Sequence, residues 1–143
     1  MENFKNLIDH LGFLGYQIHE KAMEPDEEKK FPGKKQFLAK IDSTKNSFFV
    51  SYLSGNGFSF LSSYHVKPYA KDNKLVLLEL LNKITLDSYL CSFTLSEDSR
   101  TVFMLSWYPD YYSKSSFGVF LDRIDSDVKH ALSKYPELLN FIE

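Results

Sequence analysis

The chain has 143 residues, 17 of them basic and 19 acidic, for a net charge of −2, and a single cysteine, Cys91. A chain this long can bury roughly 70% of its unfolded surface, so it needs no disulfide or metal staple, and one cysteine excludes an intramolecular disulfide while fitting a reducing, cytoplasmic setting. The near-balance of charge gives no electrostatic case for nucleic acid, and the densest apolar run, Leu75 to Leu81, is too short for a membrane span.

Glu2 to Leu14 reads as a helix, because Phe4, Leu7, Ile8, Leu11 and Leu14 share one face at helical spacing. No basic, apolar and small-residue succession marks this start as a signal peptide. Gly12 and Gly15 weaken the final turn. Lys21 to Lys35, KAMEPDEEKKFPGKK, is charged, lacks periodicity and contains two prolines; it is expected to be a flexible loop with Phe31 as an anchor.

Three strands are then expected from period-two alternation. Phe37, Ala39 and Ile41 form the first, Phe48, Val50 and Tyr52 the second, and Phe58, Phe60 and Tyr64 the third. Ser43-Thr44-Lys45-Asn46 and Ser54-Gly55-Asn56-Gly57 are the turns, the second with the Asn-Gly pair that tolerates positive φ.

A second helix is expected from about Asp72 to Ile84, capped by Asp72 or Asn73. Its Val76, Leu77, Leu78, Leu80, Leu81 and Ile84 spread over about 200°, wider than one sheet face covers. Leu86 to Leu95 and Thr101 to Tyr108 read as two more strands joined by a turn at Ser96 to Arg100, with Pro109 ending the pairing. The last helix starts near Ser115 or Ser116; Phe117, Phe120, Leu121, Ile124, Val128, Ala131, Leu132 and Tyr135 lie within about 120°. Pro136 breaks it, and Leu138 to Ile142 suggest a further apolar turn. The expectation is one α+β domain over 1–143, in the order α-β-β-β-α-β-β-α, with a single mostly antiparallel five-stranded sheet.

Motifs that carry chemistry are missing. His10, His19, His65 and His130 lack metal-site spacing and read as solvated or capping residues. Cys91 is in phase with Phe93 and Leu95, so it reads as a small buried hydrophobe. Asp122, Asp125 and Asp127 point roughly 140°, 80° and 280° from Phe117 on a helix, which reads as a solvated face rather than a metal site. Lys29, Lys30, Lys34 and Lys35 surround Phe31, but Glu24, Asp26, Glu27 and Glu28 offset their charge. No cofactor and no metal is expected. Trp107, Tyr108, Tyr111 and Tyr112 form a dense aromatic cluster, which is either a contact surface or a cap on the sheet edge.

The element order is similar to that of type III secretion chaperones. Within that fold the chain resembles the YbjN-like family of bacterial proteins, on the helix Leu75-Val76-Leu77-Leu78-Glu79-Leu80-Leu81-Asn82-Lys83, the hairpin Ser92-Phe93-Thr94-Leu95 with Val102-Phe103-Met104-Leu105, and the long helix from Phe117. The resemblance does not extend to the 21–35 segment or the Trp107–Tyr112 cluster. It implies a non-enzymatic role in binding other proteins, chaperone-like or regulatory, and carries over no site residues.

The expected interaction surface is Val76, Leu77, Leu80, Leu81 and Ile84 with Trp107, Tyr108, Tyr111 and Tyr112. The expected partner is another protein or a second copy, with no nucleic acid and no membrane. Two alternatives stay open. The first helix or the Leu138–Ile142 turn covers the second helix within the chain, or the domain holds a small-ligand or enzymatic pocket between sheet and helices.

Overall fold

The computed structural model describes residues 2–42 and 46–143. The expected turn at Ser43, Thr44 and Lys45 therefore lies outside the described residues. Among those described, the strands form one six-stranded sheet in the order β1-β2-β3-β4-β6-β5, one strand more than the sequence suggests. The chain divides into two compact units, Met1–Leu61 with Trp107–Leu121, and Ser62–Ser106 with Asp122–Glu143.

The first unit opens with α1 (Glu2–Phe13), whose Phe4, Leu7 and Leu11 are buried. Gly15 ends it at φ 101°, and the Tyr16 N–H returns to the Leu11 carbonyl, a closure that a left-handed residue allows. The added strand, β1 (Gln17–Lys21), pairs antiparallel with β2 (Lys35–Lys40). It shows no apolar alternation because it is an edge strand held by backbone bonds, with polar and charged side chains almost wholly exposed.

The segment expected as a loop contains a short helix, α2 (Pro25–Lys30). Proline opens it, acidic residues fill its first turn and lysines its last, an arrangement that matches the helix dipole. β3 (Phe48–Leu53) and β4 (Gly57–His65) complete the antiparallel run. Inward Phe37, Val50, Tyr52, Phe58 and Phe60 are essentially fully buried. Phe4 meets Phe37 and Tyr52 at 5.7 and 5.3 Å, and Phe60 meets Phe117 and Phe120 at 5.9 and 5.1 Å. Each such ring adds roughly 1.5–3 kcal/mol of burial.

The second unit centres on α3 (Lys74–Asp87), preceded by a 3-10 turn at Pro68–Asn73. Asn73 stands at the helix start without making the expected side-chain cap. The helix runs on through Leu86, and strand pairing begins only at β5 (Ser92–Leu95), against β6 (Thr101–Tyr108). The expected strand from Leu86 is thus shortened at its start. The reason is Asp127 on α4 (Lys114–Lys134): its carboxylate accepts the backbone N–H groups of Tyr89, Leu90 and Cys91 at 2.9, 2.8 and 2.9 Å. Those donors cannot then serve a strand ladder. A 3-10 turn at Pro136–Asn140 follows α4.

Candidate functional site

The aromatic cluster at the end of β6 and just beyond it splits residue by residue. Alternation along the strand turns Tyr108 inward, where it is 4% exposed and packs edge-on to Phe117 and tilted against Phe120, with ring centres 5.3 and 4.9 Å away. Trp107 is turned outward and is 56% exposed, and Tyr111 is 53% exposed. Tyr112 is half-buried, and its hydroxyl lies 2.9 Å from His10 Nδ1. The cluster therefore does not behave as one unit: Tyr108 is core, whereas Trp107 and Tyr111 are exposed. His10, expected as a solvated or capping residue, packs edge-on to Phe117 at 5.1 Å, and burial, then the Lys114 charge, hold its imidazole below the usual range.

Trp107 forms one wall of a groove of about 260 Å³ on the outward face of β3 and β4. Phe31, at the end of α2, forms another wall, and Lys34 and Asn56 contribute to the rim. The floor includes Ser51 and Ser59, which face each other across the two strands. Small outward residues on adjacent strands leave the depth that larger ones would fill. The indole Nε1 donates to the Asn56 carbonyl at 2.9 Å, so the ring is tethered while its face stays open. Lys34 Nζ stands 5.4 Å from the Phe31 ring centre, within cation–π range.

Asp110 braces the turn whose Asn56 and Gly57 line the groove. Its carboxylate accepts the Gly55 N–H at 2.7 Å, the Tyr52 hydroxyl at 3.0 Å and Asn3 Nδ2 at 3.3 Å. The Gly55 N–H above all, with Asn3 and Tyr52, holds this carboxyl below the usual carboxylate range. Gly57 sits at φ 105°, and a Cβ there would run into the Tyr108 carbonyl. Only glycine lets the turn close against the strand end.

The residues expected on the second helix are placed otherwise. Leu77, Leu80, Leu81 and Ile84 are at most 7% exposed, so they are core of the second unit and are not available to a partner. The Leu77, Leu80, Leu81 and Ile84 side of the arc is buried within the chain, where α3 packs against β5 and the 3-10 turn at Pro68–Asn73. Val76 stays 55% exposed, beside Leu75 at 69% and Leu86 at 85%. Of the nine expected interaction residues, the ones left accessible are Val76, Trp107, Tyr111 and, in part, Tyr112.

Among the described residues, no three of His, Cys, Asp and Glu come together in a group that could hold a metal ion. Asp127 is 3% exposed rather than solvated, which corrects the reading of that helix face, whereas Asp122 is exposed. Cys91 is buried, and burial first, then Asp127, push its thiol up to about 12. It stays a thiol at neutral pH, unsuited to attack. Phe31 and Lys34 were visible in the sequence only as an anchor and part of a charge run. No local signal placed them across the sheet from Trp107.

No protein-family model matches the sequence, and no curated protein matches it. Among solved structures, YbjN of E. coli, a candidate transcription regulator, superposes with a TM-score of 0.64 over 98% of this chain and 95% of that one, at 12% identity. The chain has a YbjN-like fold. That YbjN-like α+β architecture is what the leucine-rich helix, the following hairpin and the long last helix implied. Among the described residues, no helix is long and apolar enough to cross a membrane.

Proposed function

We propose that the chain is a non-enzymatic protein-binding module, chaperone-like or regulatory, that acts in the cytoplasm without a cofactor. The observation that carries this reading is the Phe31–Trp107 groove. Two exposed aromatic walls, a serine floor and one lysine make a recognition surface for an extended protein segment. Exposed Trp is a typical hot-spot residue at interfaces. The segment it suits carries an aromatic or branched apolar side chain and an acidic residue to meet Lys34. The solved structure of similar fold is a candidate transcription regulator. With a net charge of −2, a regulatory role for this chain runs through protein contacts rather than through DNA phosphates. Self-association would use the exposed Leu75, Val76 and Leu86, since the deeper leucines of α3 are covered.

Peptide display against the purified chain tests the reading. Enriched sequences should combine an aromatic with an acidic residue, and Trp107→Ala and Phe31→Ser should each weaken their binding at least tenfold, about 1.4 kcal/mol. Circular dichroism should stay unchanged. Failure to enrich any motif, or equal binding by Trp107→Ala, would refute the groove as a protein site.

A further inference from the structure

We infer that a second cavity, a partly open apolar pocket of the second unit, binds a small apolar molecule, one ring or a short branched chain, whose polar end is neutral or cationic and lies at the mouth. The cavity is about 170 Å³. That is close to an engineered core cavity of about 150 Å³ that stays dry and takes up benzene. Phe93 and Val102 from the sheet, and Val128 and Ala131 from α4, form its floor and sides. Leu138 and Ile142, after the proline break, close it from above. The wall is carbon almost throughout, so water finds no partners inside and a charged group would be desolvated without compensation.

Ordinary cores collapse onto such a void or fill it. Here the wall above is held in place by its own bonds. Val66 bridges Ile142. The Lys67 N–H donates to the Phe141 carbonyl at 2.7 Å, the Glu143 N–H to the His65 carbonyl at 2.9 Å, and Lys67 Nζ to the Leu139 carbonyl at 2.8 Å. The segment 138–143 is thereby tied to the end of β4 and the residues just beyond it rather than resting on the void. Ala131, at 2% exposure, is the small residue that leaves the space open. The opening lies beside Leu132 and Leu139, which are 37% and 53% exposed. The charged side chain among the lining residues is Glu143. A carboxylate there repels an anionic end and accepts an amine or a neutral one.

The test is a titration of the full, methyl-labelled chain followed by NMR, with benzene, benzylamine and phenylacetate as probes. Benzene and benzylamine should give saturable shifts at the methyls of Val128, Ala131, Leu138 and Ile142. Phenylacetate should bind roughly fivefold more weakly than benzylamine, an effect within the range of one exposed charge pair, and Glu143→Gln should remove that difference. Ala131→Leu should abolish the shifts while the remaining spectrum stays native. Leu132→Trp, which blocks the mouth, serves if that variant does not fold. No saturable shift at these methyls, or unchanged binding in the filled variant, overturns the site. Equal affinity for the two charged probes overturns the assignment of its mouth. Because the groove of the first unit shares no lining residue with this cavity and is probed by peptides, loss of either site leaves the other result readable.

Discussion

Asp127→Ala should be the most damaging single change on the outward-pointing half of the α4 pattern. The wild-type carboxylate accepts three consecutive backbone donors, and the Cys91 bond is fully buried. Removing the acceptor strands that buried N–H, which costs about 1–3 kcal/mol. The Tyr89 and Leu90 donors are only part-buried and regain water, so each adds about 0.5–1 kcal/mol. The expected total is about 2–5 kcal/mol, a large share of a domain's stability. Asp127→Asn keeps one carbonyl oxygen, which can still serve Leu90 and Cys91, so it should cost about half as much. Asp122→Ala, on an exposed position of the same helix, should stay within about 0.5 kcal/mol. Urea unfolding by circular dichroism supplies the three values. Native-state hydrogen exchange should show the Cys91 amide losing protection first. If Asp127→Ala proves no worse than Asp122→Ala, the account of why the strand starts at Ser92 is wrong.

Gly57→Ala should lower stability by about 2 kcal/mol or more, because it adds a clash with the Tyr108 carbonyl to the positive φ. Gly55→Ala, equally strained at φ 84° but open around its Cβ, should cost less, and thermal melts of the pair isolate the steric part. His10 should titrate below 6.5 by NMR, since burial and then Lys114 lower it. The sign follows: between its folded value and 6.5 the unfolded chain holds more proton, so this contribution to stability is complete above 6.5 and is lost as pH falls through the lower folded value. For self-association, sedimentation should show a dimer for the wild type and a folded monomer for the double variant Leu75→Lys, Leu86→Lys. A wild type that stays monomeric at high concentration rejects that interface.

Element identity was largely legible, for reasons visible in particular residues. Phe48, Val50 and Tyr52, and then Phe58 and Phe60, alternate because one strand face is buried and the other is not. Phe117, Phe120, Leu121 and Ile124 recur at helical spacing because one helix face meets the core. β1 escaped notice because an edge strand is held by backbone bonds that no side-chain pattern encodes. Asp127 escaped because its partners lie 36 to 38 residues away, while its neighbours Ser126 and Lys129 look like any solvated face. One wall of the candidate site was visible as Trp107. Phe31 and Lys34 were hidden in a segment that reads as loop.

By itself the sequence determined the α+β class, the order of the main helices and strands apart from β1 and α2, the inward residues of β2, β3 and β4, and the single leucine-rich helix, all of which follow from local periodicity and the water-avoidance of apolar side chains. Tertiary structure alone decided which apolar surface remained accessible. The arc on α3 and the aromatics at the end of β6 look equally available in one dimension. Burial depends on what long-range packing lays over a residue, and so Leu77 and Tyr108 became core while Leu86 and Trp107 stayed exposed.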